Sequence, residues 1–397
     1  MKKTFDEDDG MLIGYLSMIP DPRLKRGIRY KLEHILLMAI YAVLAGYSDA
    51  TEMEYYAQLN SEYFSSLLGI EHIPSHDTFS RIMRLVDFEN LGRNIEQWIR
   101  DNFPQICEKV QGCRVLHVDG KALRAANEES RGEKPLYMMN AMYEGEGISL
   151  YLKKIGEKEN EIGSLPAYLE LFDLTNTIVT IDAIGCSKNV IDRILKKSGH
   201  YLVPVKENQA RLKATIEQMI AQMEEDGRFV KLDTTEYMNK EHGRTEFTTM
   251  RIIKDTSYIY EQLGSGSIYG DIAKIGVMDK KTIKTEQGEE KVTRNRTILI
   301  TDMGSMSVES MLKLKQSHWN IEAQHWLLDV QLAEDQKRSR KGNGATNGAI
   351  LRRFCLLMRK YVPEFEDKPL NRFLMSNAND MKRIEEILFM KTQEGKC

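Results

Sequence analysis

The sequence predicts an α/β protein in which a mixed β-sheet, flanked by helices, follows a helical N-terminal region. Residues 11 to about 100 carry apolar residues at helical spacing. From Arg114 onwards, short runs rich in β-branched residues alternate with helical segments, and residues 228–302 contain further strand-like runs. Strands in hairpin order, followed by alternating helices and strands, are typical of a mixed sheet with helices on its faces.

The N-terminal helices are predicted from the periodicity of apolar residues and from prolines and capping residues at their ends. The apolar residues between Leu32 and Val43 recur every three or four positions and predict a helix, which Pro20 and Pro22 precede. Ser75 or Asp77 is suited to cap the last helix of this region. The other helices predicted here are Thr51–Leu59, Phe64–Leu68 and Thr78–Leu85.

The middle of the chain supplies the sheet. A first strand, Val115–Gly120, ends in Asp-Gly, and two further strands, Pro135–Tyr143 and Ile148–Ile155, flank a Gly-rich hairpin turn. The run Thr177–Asp182 is β-branched and apolar, as in buried central strands. The remaining elements predicted here are the strand Tyr201–Val205 and the helices Ile162–Phe172, Lys188–Lys197 and Gln209–Met223.

Residues 228–302 are interpreted as a β-rich insertion with the strands Val230–Tyr237, Thr245–Ile253, Ile272–Lys281 and Thr297–Ile300. One long helix, Val308–Leu332, and a helix over Gly348–Tyr361 follow. The predicted organisation is therefore a helical region over residues 1–108, an α/β domain over 109–365 and a charged tail over 366–397.

Composition narrows the class of protein. The chain has 397 residues, of which 42% are hydrophobic and 29% charged, as in soluble globular proteins of two or three units. No uncharged apolar run approaches the roughly 20 residues that span a bilayer, and the acidic stretch after Met-Lys-Lys is unlike a signal peptide, so we expect a cytoplasmic protein. Five scattered cysteines without a CxxC pair argue against a disulfide framework or a cysteine zinc site. A net charge of −3 does not indicate nucleic-acid binding, although a local basic face is compatible with it.

Two aspartates lie at the ends of predicted strands, where ligand sites form in α/β sheets. Asp119 precedes Gly120, so the alternative interpretation is that it is only a turn residue. Asp182 follows a buried apolar run, where a charge is costly unless it is paired or bound to a metal.

A third carboxylate, Glu322, lies on the long helix. Helical spacing places it on a polar stripe with His318, His325 and Asp329. The adjacent apolar stripe, predicted to pack in the core, contains Trp319, Ala323, Trp326 and Val330. The polar stripe is interpreted as a carboxylate pointing into a cleft, as a solvated face with a His–Glu pair, or as a zinc site whose spacing is not HExxH.

The three carboxylates, two on strands and one on a helix, are interpreted together as ligands of one metal site. Hard oxygen ligands favour Mg²⁺ or Mn²⁺ over zinc. Two such ions about 4 Å apart activate an attacking water or 3′-hydroxyl and stabilise the leaving oxygen of a phosphodiester.

Several short motifs occur along nearly the whole chain. They are Asp21–Arg23, Ser75–Phe79, DGKxLR at 119–124, KxNEI at 158–162, the segment 179–186 around the second aspartate, KxNQ at 206–209, HGRxE at 242–246, and a final block at 318–335 with HWNIE and HWLLDV. These motifs and their order resemble those of DDE transposases of bacterial insertion sequences, in the branch of the H-repeat-associated proteins of Rhs elements.

The resemblance implies an RNase H-like catalytic core with a β-rich insertion before the last catalytic helix. It implies that Asp119, Asp182 and Glu322 are the catalytic, metal-binding triad for Mg²⁺ or Mn²⁺. The chain departs from the family at Gln316, where relatives often carry Arg, at Ala125–Ala126 in place of Gly-Ser, and at Ser187 in place of Gln. Loss of the arginine removes a bidentate phosphate clamp.

A transposase must neutralise phosphates with basic side chains. Lys337, Arg338, Arg340 and Lys341 follow the acidic helix and are interpreted either as a flexible DNA-binding loop or as a solvated charge run. Trp319 and Trp326 are predicted to pack in the core, and the alternative is that they stack on a flipped base. The other predicted DNA contacts, some of which can equally cap helices or pair with local acids, are Lys121, Arg124, Lys188, Lys206, Asn208, His318 and His325.

The function implied by the resemblance is cut-and-paste transposition. Hydrolysis frees a 3′-hydroxyl at the end of the element, and this hydroxyl then attacks target or opposite-strand DNA. The implied partners are double-stranded DNA, as terminal inverted repeats and target, and a second copy of the chain in a homodimer on DNA. Residues 1–108 are implied to be the transposase-associated, DNA-binding region for the terminal repeats, although no motif fixes a recognition helix. The basic residues of this region are Lys25, Arg26, Arg29, Lys31, Arg81 and Arg84. The alternatives are a decayed or domesticated DNA-binding protein and a structure-specific nuclease.

Overall fold

A computed structural model of the chain describes residues 11–26, 28–103, 108–123, 136–155, 161–241, 244–264, 272–286, 289–337, 341–365 and 368–389. Within these ranges, no helix is both long enough and apolar enough to cross a lipid bilayer.

Six helices form the N-terminal region, which confirms its predicted helical character. Leu32–Leu44 is its centre, since nearly all of its side chains are buried. Asp49 caps the next helix through a capping box with Glu52, in which each side chain accepts a hydrogen bond from the other's backbone. Ser75 is the N-cap residue of the fifth helix. The bounds are α1 Leu12–Ser17, α2 Leu32–Leu44, α3 Ala50–Leu59, α4 Ser61–Leu68, α5 His76–Leu85 and α6 Phe88–Asn102.

The described strands form one mixed sheet. The strands are β1 Lys109–Val110, β2 Cys113–Leu123, β3 Leu136–Tyr143, β4 Gly147–Ile148, β5 Lys153–Ile155, β6 Thr177–Ile181, β7 His200–Val205, β8 Asp233–Glu241, β9 Arg244–Ile253, β10 Lys274–Glu286 and β11 Glu289–Thr301. Their order is β4-β3-β2-β6-β7-β11-β10-β9-β8, with β1 on β2 and β5 on β3. β2 pairs antiparallel with β3 but parallel with β6, and β6 is parallel with β7. The chain is therefore α/β with an RNase H-like mixed sheet, as predicted.

The β-rich insertion extends this sheet. β8 to β11 form an antiparallel meander, and β11 pairs antiparallel with the edge of β7. The two central strands run much further than the predicted Ile272–Lys281 and Thr297–Ile300. The first strand begins at Asp233, not Val230, because Phe229–Lys231 forms a 3-10 turn that buries Phe229.

Helices cover both faces of the sheet. α7 (Glu161–Leu169), α8 (Lys188–Lys196), α9 (Ala210–Glu225) and α10 (Ser257–Leu263) pack on the face to which Leu116 and Val118 of β2 point. Val115, on the alternate side of β2, packs with Met311 and Leu314 of α11 (Val308–Ser317). The residues that alternate with Leu116 and Val118 therefore face α11 and the helix after it.

The predicted helix Val308–Leu332 is two helices, and the prediction of one is wrong. α11 ends at Ser317, and α12 spans Trp319–Val330. At the junction, Ile321 N donates to His318 O over a shorter, 3-10-type span at 3.4 Å. The reason is local, since the buried His318 side chain is hydrogen-bonded to Thr180 in the sheet.

The predicted charged tail is also folded over much of its length. After α13 (Gly344–Tyr361), residues 370–389 form α14 (Leu370–Asn379) and α15 (Met381–Phe389). Phe373 and Ile384 of these helices join the core of the N-terminal region, and Asn377 Nδ2 donates to Leu44 O at 2.9 Å. This segment contains an apolar stripe at helical spacing, and its many charged residues made that stripe hard to recognise in the sequence.

A buried ionic network ties α13 to the sheet. Glu334 is fully buried and accepts hydrogen bonds from Arg353 Nη1 at 2.8 Å and Lys121 Nζ at 2.8 Å. Arg353 also donates to Asn140 Oδ1 on β3 at 2.7 Å. Burial alone raises the pKa of Glu334, but the guanidinium groups of Arg353 and Arg352 and the Lys121 ammonium outweigh it and hold this pKa well below its usual range.

We expect Glu334→Gln to destabilise the fold by about 3–5 kcal/mol, because three buried cations lose a shared carboxylate. Urea unfolding at neutral pH measures this loss. Glu217→Gln, which removes an exposed pair with Lys213, is the matched control and should leave the midpoint unchanged. A Glu334→Gln protein as stable as wild type would show that the network does not hold α13 to the sheet.

Candidate active site

The parallel pairing of β2 and β6 sets the two aspartates side by side. Val118 is in register with Ile181, so Asp119 and Asp182 are the next residues on neighbouring strands about 4.8 Å apart. Residues in register on parallel strands point to the same face of the sheet. That face is the one that α11 and α12 cover. Asp119 Oδ1 accepts a hydrogen bond from Gly120 N at 2.9 Å.

The start of α12 is attached to the same face. Thr180 Oγ1 lies 2.6 Å from His117 Nδ1 and 2.7 Å from His318 Nδ1. His117 and Thr180 are in register and lie two residues before Asp119 and Asp182, respectively. Glu322 lies one helical turn after His318, on the same side of α12.

The far end of α12 is attached to β2 as well. Lys121 Nζ forms an ion pair with Asp329 in the last turn of the helix. Between the two attachments, His325 Nδ1 lies 3.4 Å from Asp119 Oδ2. The polar stripe of α12 therefore runs along the polar side of β2, and Glu322 lies between the two ends of this contact.

A buried hydrogen-bond chain extends behind the aspartates. His117 Nε2 lies 2.7 Å from Glu144 Oε2, and Asn320 Nδ2 of α12 donates to Glu144 Oε1 at 3.1 Å. In the tautomer in which His117 Nε2–H donates to Glu144, His117 Nδ1 accepts from the Thr180 hydroxyl, and the oxygen of that hydroxyl accepts from His318 Nδ1–H. Burial and the nearby Lys315 lower the pKa of His318 to about 3, so this imidazole is neutral at ordinary pH.

The charges of Asp119 and Asp182 act on Glu322. Desolvation raises the pKa of Glu322, and repulsion from Asp119 and Asp182 raises it further, against the opposing effects of Lys315 and His325. The ammonium of Lys315 is partly buried, which lowers its pKa, and it interacts favourably with Glu322 and Asp182. Glu322 is exposed and, among the described residues, makes no ion pair that would hold it away from a ligand.

The donor set fits a hard divalent cation. Three carboxylates supply oxygen ligands, and their mutual repulsion is what a bound cation relieves. In the described part of the chain, no three acidic, His or Cys side chains are drawn together tightly enough to enclose an ion. His325 Nε2 is buried without a hydrogen-bond partner among the described residues, next to Asp119.

Four of the residues predicted to contact DNA instead form ion pairs or hydrogen bonds with other residues of the chain. Lys121 is 6% exposed and paired with Asp329 and Glu334, so its prediction as a phosphate contact is wrong. His318 is buried against Thr180, and its role is to attach α12. The other two occupied residues are Asn208, whose amide donates to Ala183 O at 2.7 Å, and Lys337, which donates to Glu52 at 2.9 Å.

The remaining predicted DNA contacts differ in their placement. His325 lies beside Asp119, with its Nδ1 3.4 Å from Asp119 Oδ2. Lys188 is exposed and forms a surface pair with Asp192, and Lys206 and Lys341 are exposed. Lys206 lies close enough to Lys315 to lower its pKa. Arg124, Arg338 and Arg340 lie outside the described residues.

The predicted core stripe of α12 is exposed. Trp319 and Trp326 are 62% and 56% exposed, and Val330 is also exposed. The prediction of core packing is wrong because the polar stripe, not the apolar one, faces the sheet. Ile321 and Leu328 supply the buried apolar contacts of this helix.

Sequence reasoning missed the residues that support the site. Thr180, Glu144 and Lys315 were not predicted to take part, yet each contacts or interacts electrostatically with a site residue. Thr180 carried a usable signal, since it is a polar residue in an apolar strand, two positions before Asp182 and therefore on the same face. No local signal identifies Glu144 or Lys315, whose roles depend on tertiary packing.

Family models and curated relatives match most of the chain. The family model for the transposase DDE domain matches residues 111–358, and the model for the DDE_Tnp_1-associated domain matches residues 13–99. The chain is 28% identical to YbfL and to the H repeat-associated putative transposase YhhI, both of Escherichia coli (strain K12), over 84% of the chain and 86% of each relative. It is 29% identical to the H repeat-associated YbfD of the same strain, over 62% of the chain and 94% of that relative.

We expect Glu322→Gln to stabilise the protein at pH 7–8 in EDTA. The pKa of Glu322 is raised in the folded state, so its ionised form opposes folding, and a neutral amide removes that cost. The gain should shrink as the pH falls through the raised pKa and vanish below the ordinary value of 4.5, where wild type is also neutral. Thermal unfolding from pH 4 to 8 measures it.

The control for this titration is Glu236→Gln, on an exposed position of β8. It should give no stabilisation that grows with pH. A Glu322→Gln protein that is less stable than wild type at neutral pH would mean that the carboxylates do not repel one another.

Proposed function

Since this chain belongs to the DDE transposases, in the branch of the H repeat-associated proteins, we propose that it carries out cut-and-paste transposition. It cleaves DNA at the ends of an insertion sequence and joins the freed 3′-hydroxyls to other DNA. The observation that carries this proposal is the placement of Asp119 and Asp182 on neighbouring parallel strands, with the helix of Glu322 attached to the same face through His318 and Thr180.

The three carboxylates are the residues that would hold Mg²⁺ or Mn²⁺. Bound there, such ions supply activation of the attacking water or 3′-hydroxyl and stabilisation of the leaving oxygen. Asp119 and Asp182 are carried on adjacent strands and offer a rigid pair of ligands. Glu322 lies on α12, between the two points at which that helix is attached to the sheet. His325 orients Asp119, and Lys315 offsets part of the negative charge.

The exposed cations near the carboxylates are suited to bind the phosphates of the cleaved strand. Lys206, beside Lys315, and Lys188, at the start of α8 just after Asp182, are the described candidates. Lys341 follows α12 and, with Arg124, Arg338 and Arg340, completes the proposed set. Two ends of an element must be handled together, so we propose a homodimer on double-stranded DNA.

A non-cutting DNA-binding protein is the second candidate, and Gln316 is the residue that favours it. Gln316 is exposed and cannot clamp a phosphate as a guanidinium does. Lys315, the preceding residue, supplies a cation among the carboxylates, which favours the active enzyme.

We expect Asp119→Asn to abolish divalent-ion-dependent nicking of duplexes that carry the terminal repeats flanking the gene. A lost ligand removes several kcal/mol of transition-state stabilisation, or roughly a hundredfold or more in rate. Binding of the same duplex should persist, because Asp119 carries negative charge and makes no favourable phosphate contact. Nicking is followed on labelled DNA in Mg²⁺, and binding in Ca²⁺.

The matched control is Asp226→Asn, which neutralises an exposed aspartate paired with Arg228, a residue with no proposed role at the DNA. It should nick at close to the wild-type rate. Nicking by Asp119→Asn at the wild-type rate would refute the proposed site, and wild-type binding without nicking would favour the non-cutting alternative.

A further inference from the structure

A pocket of about 620 Å³ lies where the helical N-terminal region meets the α/β domain. Its walls are the start of α3, the middle of α5, the turn that follows α12 and the first half of α13. None of its described lining residues belongs to the carboxylate site. Pockets of about 300–1,000 Å³ commonly take small molecules, so this one has room for such a ligand.

The guanidinium group of Arg352 is the main polar feature of this pocket. The side chain lines the pocket and is only 3% exposed. Its Nε donates to Glu334 Oε1 at 3.3 Å, whereas its two Nη nitrogens have no hydrogen-bond partner in the part of the chain that the structure describes. Neither Nη is sealed from solvent. These donors of a buried arginine are therefore left for a ligand that enters the pocket.

Gly348 allows the guanidinium group to lie against the backbone of α13. A Cβ atom at this position would come within 3.2 Å of Arg352 Nη1. The glycine and the arginine are four residues apart on the same helix, and both line the pocket. The position of the guanidinium group is therefore set by the helix and by Glu334 before any ligand binds.

The buried ionic network that includes Arg352 contains more cations than anions. Its carboxylates are Glu334 and Asp329, and its cations are Lys121, Arg352 and Arg353. Burial lowers the pKa of Arg352, and the attraction of Glu334 opposes this effect only in part. A buried charge is costly unless it is fully paired. An anion beside Arg352 would therefore complete the charge balance of the network.

The start of α13 adds backbone donors to the same wall of the pocket. Gly344 and Ala345 line the pocket in the first turn of this 18-residue helix. The N-cap residue, Asn343, makes no side-chain cap, and the first turn contains no acidic residue. The N–H groups and the positive end of a helix favour phosphate-type anions, and arginine binds such anions in a bidentate manner.

The two carboxylates at the start of α3 also line the pocket, but both are already paired. Glu52 accepts hydrogen bonds from Lys337 Nζ at 2.9 Å and from the backbone N of Ser48 at 2.8 Å. Asp49 caps α3 and lies 3.4 Å from the same Lys337 Nζ. An anion is therefore expected beside Arg352 and α13 rather than beside α3.

We propose that this pocket binds a small phosphate-bearing anion, either free phosphate or the phosphate group of a small metabolite. The Nη nitrogens of Arg352 and the first N–H groups of α13 hold its oxygens. The bound anion stabilises the network that joins α12, α13 and the sheet. This site is independent of the proposed function, because it requires neither DNA nor the three carboxylates.

The experiment measures thermal unfolding of the full chain in EDTA. Inorganic phosphate or adenosine monophosphate replaces NaCl at constant ionic strength. A ligand that binds only the folded state raises Tm in a saturable way, and we expect a rise of about 3 °C at saturation. Isothermal titration calorimetry compares the two ligands directly. Saturation at a lower concentration of the nucleotide would identify a phosphorylated metabolite, and the reverse order would identify free phosphate.

Two variants remove the site in different ways. Arg352→Gln removes the free donors, and Ser80→Leu fills the pocket from α5 without touching the ionic network. Each variant is compared with its own Tm in NaCl, so that a loss of stability does not obscure the result. Both should lose the rise in Tm. The matched controls, which should keep it, are Arg372→Gln at an exposed position of α14 and Ser65→Leu at a half-buried position of α4.

Three results would overturn this proposal. The first is a wild-type Tm that does not rise with either anion. The second is an equal rise in Arg352→Gln and Ser80→Leu, which would place the anion elsewhere. The third is loss of the calorimetric phosphate signal when a DNA duplex is added, which would assign the phosphate to DNA. None of these results depends on nicking, so the proposed function is tested separately.

Discussion

The hydroxyl of Thr180, placed between the imidazoles of His117 and His318, is the contact on which the site depends. Thr180 and His117 lie on the two strands that carry the aspartates, and His318 begins the helix that carries Glu322. The three groups are buried, so these hydrogen bonds have no competition from water and are costly to leave unmade. The contact therefore fixes the acidic helix against the sheet, and it also explains why α11 and α12 are separate helices.

A second constraint lies at the other end of that helix, where Asp329 meets Lys121 and, through it, the buried Glu334 and Arg353. This network makes the placement of α12 depend on α13 and hence on the N-terminal helices, which share a core with α13 to α15. The α/β part and the helical part are thus mechanically joined at the site. The network therefore supports the helix that carries Glu322 at the end opposite to His318.

Much of the fold was predictable because buried strands and amphipathic helices leave periodic signals. The strand run before Asp182, the helix over Leu32–Leu44 and the β character of residues 228–302 were found in this way. The orientation of α12 was predicted wrongly. Helical spacing separates two stripes of α12, but it does not say which stripe faces the protein, and hydrophobicity favoured the wrong one. Lys121 likewise looked like a free cation, because its carboxylate partners, Asp329 and Glu334, are more than 200 residues away in sequence. Glu144 entered the site only through tertiary packing.

A crystal structure of the full chain grown with Mn²⁺, in which the metal is located by its anomalous signal, tests whether the three carboxylates form one metal site. We expect a peak bound by Asp119 and Asp182, with Glu322 completing the ligands and the Thr180 contact unchanged. A peak held elsewhere, or one that Glu322 does not reach while α12 keeps its place on the sheet, would contradict this expectation.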